Sequence, residues 1–171
     1  MKLFLTGERG IGKSTVLERV LARCGLGYGG VQTTFGPWRG EEQRRLFLQP
    51  YGQVPEYSPE RVCAIVGGGL RRSMPEVFDA LGTAFLRRAM EDSAVQLIIL
   101  DELGFLEGEA QQFRAAVLEA LEGPKCVLGV VRQGLGVWQD APLGKIITVT
   151  EENRDRLPGE LSLLLRGPGQ G

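Results

Sequence analysis

Apolar positions along this chain fall into short unbroken runs, and the stretches between them carry helical spacing. Lys2 to Thr6 reads as a short buried strand. It enters a glycine-rich stretch, after which Val16, Leu17, Val20 and Leu21 recur on one helix face and Gly25 offers a stop. Between positions 26 and 66, Gly and Pro punctuate candidate strands Gly30–Phe35, Arg45–Gln49 and Val62–Val66. These are predicted as hairpin-like pieces at one sheet edge. A helix is predicted from Pro75 to Met90, with Ser73 and Glu76 at capping-box spacing and Val77, Phe78, Leu81, Ala84, Phe85 and Ala89 as its apolar stripe.

The second half repeats the alternation of strand and helix. Gln96 to Leu100 is a strand running into Asp101, Glu109 to Glu122 a helix stopped by Gly123-Pro124, and Cys126 to Val131 another apolar strand. Lys145 to Val149 reads as a further strand, Thr150 as the cap of a short helix containing Glu151 and Glu152, and Leu161 to Leu165 as a last apolar element. Strands without polar alternation must be covered on both faces. With helices between them, this predicts a three-layer α/β fold, a mainly parallel sheet with some antiparallel edge strands. One domain over residues 1–166 and a flexible tail at 167–171 are expected.

Composition narrows the chemistry. The 171 residues are 43% apolar and 24% charged with a formal net charge of −1, which offers no electrostatic basis for binding nucleic acid or a membrane. No run approaches a membrane span. There is no histidine, so acid–base work falls to Asp, Glu, Lys or water. Cys24, Cys63 and Cys126 lie far apart and read as reduced thiols of a cytoplasmic protein.

Gly7-Glu8-Arg9-Gly10-Ile11-Gly12-Lys13-Ser14 satisfies the phosphate-loop pattern G-x-x-x-x-G-K-[ST]. A chain this long matches it by chance well under ~1% of the time, and here it sits between a strand and a helix, as it must to work. The glycines let successive N–H groups converge on one anion, and the helix adds its positive end. Lys13 is expected on the β- and γ-phosphates, Ser14 on Mg²⁺, and Thr15 on the α-phosphate. Such a loop needs a carboxylate at the end of a neighbouring apolar strand to assist the metal, and Asp101 supplies it. Glu102 is read as the group that orients or deprotonates an attacking water. The competing reading makes Glu102 a solvated loop acid or the ion-pair partner of an arginine.

Weaker candidates surround this set. Arg39, Arg44, Arg45, Arg71 and Arg72 include possible γ-phosphate contacts, but each taken singly reads as a surface residue. Arg87 and Arg88 are explained by a helix C-terminus. Trp38 and Tyr51 read first as packing residues and second as stacking partners for a base. Arg132 follows an apolar strand on the ligand side of such folds and is a candidate phosphate sensor.

The order of motifs resembles the small nucleoside-triphosphatase family that includes the cancer-related nucleoside-triphosphatase and relatives in thermophiles. FLTGERGIGKST (4–15), IILDELGFLE (98–107), FRAAVLEALEGPKCVLGVVRQ (113–133) and ITVTEENRDRLPGEL (147–161) carry the resemblance. It implies Mg²⁺-dependent hydrolysis of ATP or other nucleoside triphosphates to diphosphates, with broad base choice and slow turnover. Lys13 and Ser14 would hold phosphate and metal, Asp101 would assist the metal, and Glu102 would activate water. Asn153 and Arg154 correspond to the family's Asn-Arg-Asp element, near base or ribose. The chain departs from the family at Val-Val-Arg-Gln (130–133), where a His-Arg pair is usual, and at Glu8-Arg9, where small residues or proline are usual. Two other readings stay open: a kinase passing the γ-phosphoryl to a nucleotide or small metabolite, and a nucleotide-gated switch for a protein partner.

Overall fold

The computed structural model describes residues 1–38, 40–134 and 136–167. Arg39 and tail positions 168–171 lie outside them. In chain order the elements are β1 (Lys2–Thr6), α1 (Lys13–Cys24), β2 (Tyr28–Phe35), β3 (Arg44–Pro50), β4 (Val62–Gly67) and β5 (Leu70–Ser73). A continuous helical run follows: α2 (Pro75–Val77), a π-helical segment (Phe78–Gly82) and α3 (Thr83–Glu91). Then come β6 (Leu97–Leu103), α4 (Gln111–Glu122), β7 (Cys126–Val131), β8 (Lys145–Thr148) and α5 (Leu157–Arg166).

Eight strands form one sheet in the order β5-β4-β3-β2-β6-β7-β1-β8. The pairings β2–β6, β6–β7, β7–β1 and β1–β8 are parallel, while β2–β3, β3–β4 and β4–β5 are antiparallel. The expected three-layer α/β fold with an antiparallel edge is therefore present. Two apolar clusters cover the two sheet faces. Leu3, Leu5, Leu97 and Ile99 pack with α1 and α5, while Phe4, Ile98 and Leu100 pack with α3 and α4. The period-2 pleat sends neighbouring residues to opposite cores, so runs such as Leu97–Leu100 must be apolar throughout.

Several boundaries differ from the sequence expectation. β2 makes the expected antiparallel pair with β3 but is not an edge piece, because its other side pairs parallel with β6 inside the sheet. β5 was not expected, because its exposed Leu-Arg-Arg pattern carries no apolar run. The capping box does not form: Met74 occupies the cap position and no side chain caps the helix. Ser73 belongs to β5, and its hydroxyl donates to the Leu106 carbonyl. Residues 151–156 make turns rather than a helix, and the apolar run 161–165 is part of α5. Among the described residues no helix is long and apolar enough to cross a membrane.

Candidate functional site

Parallel pairing brings the carboxyl ends of β1, β6, β7 and β8 to one edge, where α/β sheets bind ligands. The phosphate loop leaves β1 there. Gly7 (φ +138°) packs so close to the end of β8 that an added Cβ would lie 2.7 Å from the Val149 carbonyl oxygen, so no larger residue fits. Gly12 (φ 106°) is left-handed and precedes Lys13, the first residue of α1. The first-turn N–H groups of α1 lack helical acceptors, and no acidic side chain lies in that turn to compete for them. Lys13 Nζ donates to the Gly7 and Glu8 carbonyls, both at 2.9 Å, which folds it over the loop. Ser14 and Thr15 are exposed at the helix start.

Asp101 and Glu102 lie within β6 rather than beyond it. The peptide joining them is cis. β7 stands between β6 and β1, so the carboxylates and the phosphate loop are about 10 Å apart, two strand spacings. The β6–β7 register slips between Asp101 and Leu103, and Glu102 falls at the slip. A slipped residue leaves the ladder and its side chain is re-aimed. Glu102 Oε1 accepts from Arg132 Nε at 2.8 Å. Arg132 is anchored by its own N–H on the Leu103 carbonyl (3.0 Å), and its side chain crosses Gly104, where a Cβ would come within 3.0 Å of Cδ. Glu102 is therefore an arginine partner in this structure, and the two candidates separated by thirty residues meet.

Asp101 differs from its neighbour. Burial first, then the charges of Glu102 and Glu18, push its pKa up to about 6 against the pull of Lys13. A largely desolvated carboxylate whose charge Lys13 offsets only in part is suited to a cation. The described residues form no group of three or more His, Cys, Asp or Glu able to hold a metal. Mg²⁺ does not require such a cage; it uses one or two carboxylates, substrate phosphates and water. Ser14 and Asp101 fit that donor set.

The segment after β8 flanks the loop. Val149 N–H donates to the Thr6 carbonyl at 2.8 Å. Asn153 spends both ends of its amide locally: Oδ1 accepts from Thr150 N–H and Nδ2 donates to the Thr148 carbonyl, each at 2.8 Å. Asp155 meets Arg19 of α1 at 3.2 Å, and Arg154 is exposed. The antiparallel strands bring Arg44, Arg45, Arg71 and Arg72 to the same end of the sheet, on the far side of β2 from the phosphate loop. Arg44 covers the Phe35 ring at 3.9 Å, Arg71 lies 5.8 Å from the Phe105 ring, and Trp38 is exposed.

A match covering residues 2–162 links the chain to a protein family described as NTPase. The chain belongs to this family. Among its relatives is the nucleoside-triphosphatase THEP1 of Methanosarcina barkeri, 30% identical over 178 aligned residues that cover 95% of both proteins. THEP1 of Pyrococcus abyssi is 29% identical, with 97% of this chain and 93% of the relative aligned. Two solved structures share the fold. THEP1 from Aquifex aeolicus has a TM-score of 0.66 at 24% identity, covering 98% of this chain and 99% of that one. A human cancer-related nucleoside triphosphatase has a TM-score of 0.67 at 23% identity, covering 99% of both. The family read from the four motif blocks is thus the family found.

One buried residue of this edge had no role in the sequence beyond a place in the motif. Glu107 is 2% exposed. Its Oε1 accepts from the Gly104 N–H and from Trp138 Nε1, the latter at 2.8 Å. It ties the loop after β6 to the turn after β7, the two segments that adjoin Glu102 and Arg132. Burial raises its pKa while these donors lower it. The sequence signal was a lone acid within a Phe-Leu-Glu-Gly stretch, whose partner Trp138 lies thirty-one positions on.

Replacing Glu107 with Ala leaves two buried donors unsatisfied and is expected to lower stability by about 2–4 kcal/mol, with Glu107→Gln keeping most of it. Chemical denaturation of both variants checks this; equal losses would count against the acceptor role. Asp101→Asn should act in the opposite direction. A folded carboxyl raised to about 6 binds its proton more tightly than the unfolded one, so stability falls as pH rises from about 4 to about 6. Without metal, the variant should gain about 1–3 kcal/mol at neutral pH, and the gain should vanish near pH ~4. No gain at neutral pH would refute a carboxylate destabilised by desolvation.

Proposed function

We propose that this chain is a Mg²⁺-dependent nucleoside-triphosphatase that releases phosphate from nucleoside triphosphates, with broad base tolerance and slow turnover. The observation that carries this reading is the meeting, on one sheet edge, of the phosphate loop with two adjacent carboxylates one strand beyond its neighbour. That spacing suits a γ-phosphate lying between loop and acids. Family membership supports hydrolysis, and the free state of Cys24, Cys63 and Cys126 supports a cytoplasmic setting.

In this mechanism the loop N–H groups from Gly7 to Thr15 hold the phosphate chain, and Lys13 swings from the Gly7 and Glu8 carbonyls onto the β- and γ-oxygens. Ser14 and Asp101 would hold Mg²⁺, which supplies charge neutralisation on those oxygens. Glu102 orients a water in line with the γ-phosphorus and accepts its proton. Arg132 holds Glu102 in a half-exposed pair, worth no more than about 1 kcal/mol. A triphosphate can readily draw the guanidinium away, leaving Glu102 free for water and Arg132 beside the developing charge. Asn153, occupied with its own turn, holds the segment that presents Arg154 beside the loop. A grip concentrated on phosphates rather than base edges supports broad base tolerance.

The test is phosphate release from ATP, GTP, CTP and UTP with Mg²⁺, without any added acceptor. Wild type is expected to act on several bases. Glu102→Gln should retain Mg-nucleotide binding and turn over about a hundredfold or more slowly, and Lys13→Ala should lose triphosphate binding. Unchanged turnover in Glu102→Gln would move water activation elsewhere.

A further inference from the structure

A cavity of about 340 Å³ opens between α1 and the edge of β2, running from the level of Asp101 toward the amino end of β2. That volume lies at the small end of the range for ligand pockets, roughly 300–1,000 Å³. Glu18 and Leu21 line it from α1, Tyr28 and Gln32 from β2, and Tyr51 and Gly52 from the turn after β3. Two features tie it to the reaction centre. Glu18 stands one helical turn beyond Ser14 on the same face of α1. Gln32 is the β2 residue paired in register with Asp101 of β6, and it also borders the narrow cleft that contains Asp101 and Glu102.

The lining states the chemistry of its ligand. It contains no Lys or Arg, and Glu18 and nearby Asp101 are acidic, so an anion such as a nucleoside monophosphate is disfavoured. Glu18, Tyr28, Gln32 and Tyr51 bring a carboxylate, an amide and two hydroxyls to its lining. Burial, then the charges of Asp101 and Glu18, raise the Tyr51 hydroxyl pKa, which keeps it a donor. The Tyr28 and Tyr51 rings meet edge to face at 6.0 Å and offer a surface for a flat ring. A carboxylate and an amide can read a ring edge that bears amino groups, as Glu and Gln do with bases.

We propose that this cavity holds an uncharged, planar-ringed alcohol of nucleoside size and presents its hydroxyl to the γ-phosphate, so that the chain also transfers phosphoryl groups. The proposal rests on the triphosphate site described above. The acceptor oxygen forms a bond to the γ-phosphorus while the bond from that phosphorus to the β,γ-bridging oxygen breaks. The hydroxyl proton passes to Glu102 and then to solvent. The products are a nucleoside diphosphate and a phosphate monoester, and water takes the acceptor's place when the cavity is empty.

Labelled adenosine, guanosine, cytidine, uridine and thymidine are tested by equilibrium dialysis with the full chain, Mg²⁺ and a non-hydrolysable triphosphate. With ATP, the monophosphate, diphosphate and inorganic phosphate formed are then quantified. At least one nucleoside should bind and yield its monophosphate, with diphosphate exceeding phosphate by the same amount. Ala22→Phe fills the cavity from an exposed position on α1. It should weaken nucleoside binding by about tenfold or more, with acceptor-free phosphate release within about twofold of wild type. Failure of every nucleoside to bind, binding without monophosphate formation, or binding undiminished in Ala22→Phe would overturn the proposal. Phosphate release without acceptor reports separately on the hydrolase reading, which can stand when this one falls.

Discussion

Parallel pairing of β2, β6, β7, β1 and β8 requires crossovers, and those crossovers cover the sheet with helices on both faces. The central strands β1, β7 and β6 are therefore apolar along most of their length, and their polar residues appear near the ends. Because the strands point the same way, these ends share one edge. Gly7, Asp101, Glu102, Arg132 and Thr150 come from four separate strands and converge there for that reason alone. The position of β7 between β6 and β1 sets the separation between the anion-binding loop and the acids. Adjacent strands would leave half that width.

Within the edge, two neighbouring acids have opposite electrostatics. Glu102 sits at a register slip, half-exposed, with an arginine to balance it. Asp101 remains in the strand, largely desolvated, with Lys13 offsetting its charge only in part. One is held ready by an interaction weak enough to exchange, and the other carries a desolvation cost that a bound cation would relieve. The cost is a local loss of stability at the place where binding needs it. Glu107 keeps both arrangements in place from behind. It joins the two loops through a buried carboxylate, and its hydrogen bonds are made where water cannot compete.

The antiparallel edge has a different task. β3, β4 and β5 extend the sheet away from the phosphate loop, and Gln49, fully buried, fixes the 50–61 connection by accepting from Arg61 at 2.8 Å and bonding both backbone groups of Glu56. This brings Tyr51 and Gly52 against α1 and β2, forming the cavity wall. Residues that look like irregular loop in the sequence thus shape a cavity against α1.

Local chemistry alone made the phosphate loop legible, because consecutive backbone groups must curl around one anion and only a short fixed pattern permits it. The same holds for the parallel core, since strands covered on both faces cannot alternate with polar residues. Asp101 was readable as the end of such a strand. Other features belong to the tertiary structure. The arginine that meets Glu102, the indole that meets Glu107 and the Gln32–Asp101 pairing join residues about thirty to seventy positions apart, set by sheet register. The failed capping box at Ser73 shows the same rule in reverse: a local motif gave way when a distant carbonyl, that of Leu106, offered the hydroxyl a buried partner. Local pattern decides what a segment is able to bind or bury, whereas long-range pairing decides which groups face one another, and therefore which charges are balanced and which are left for a ligand.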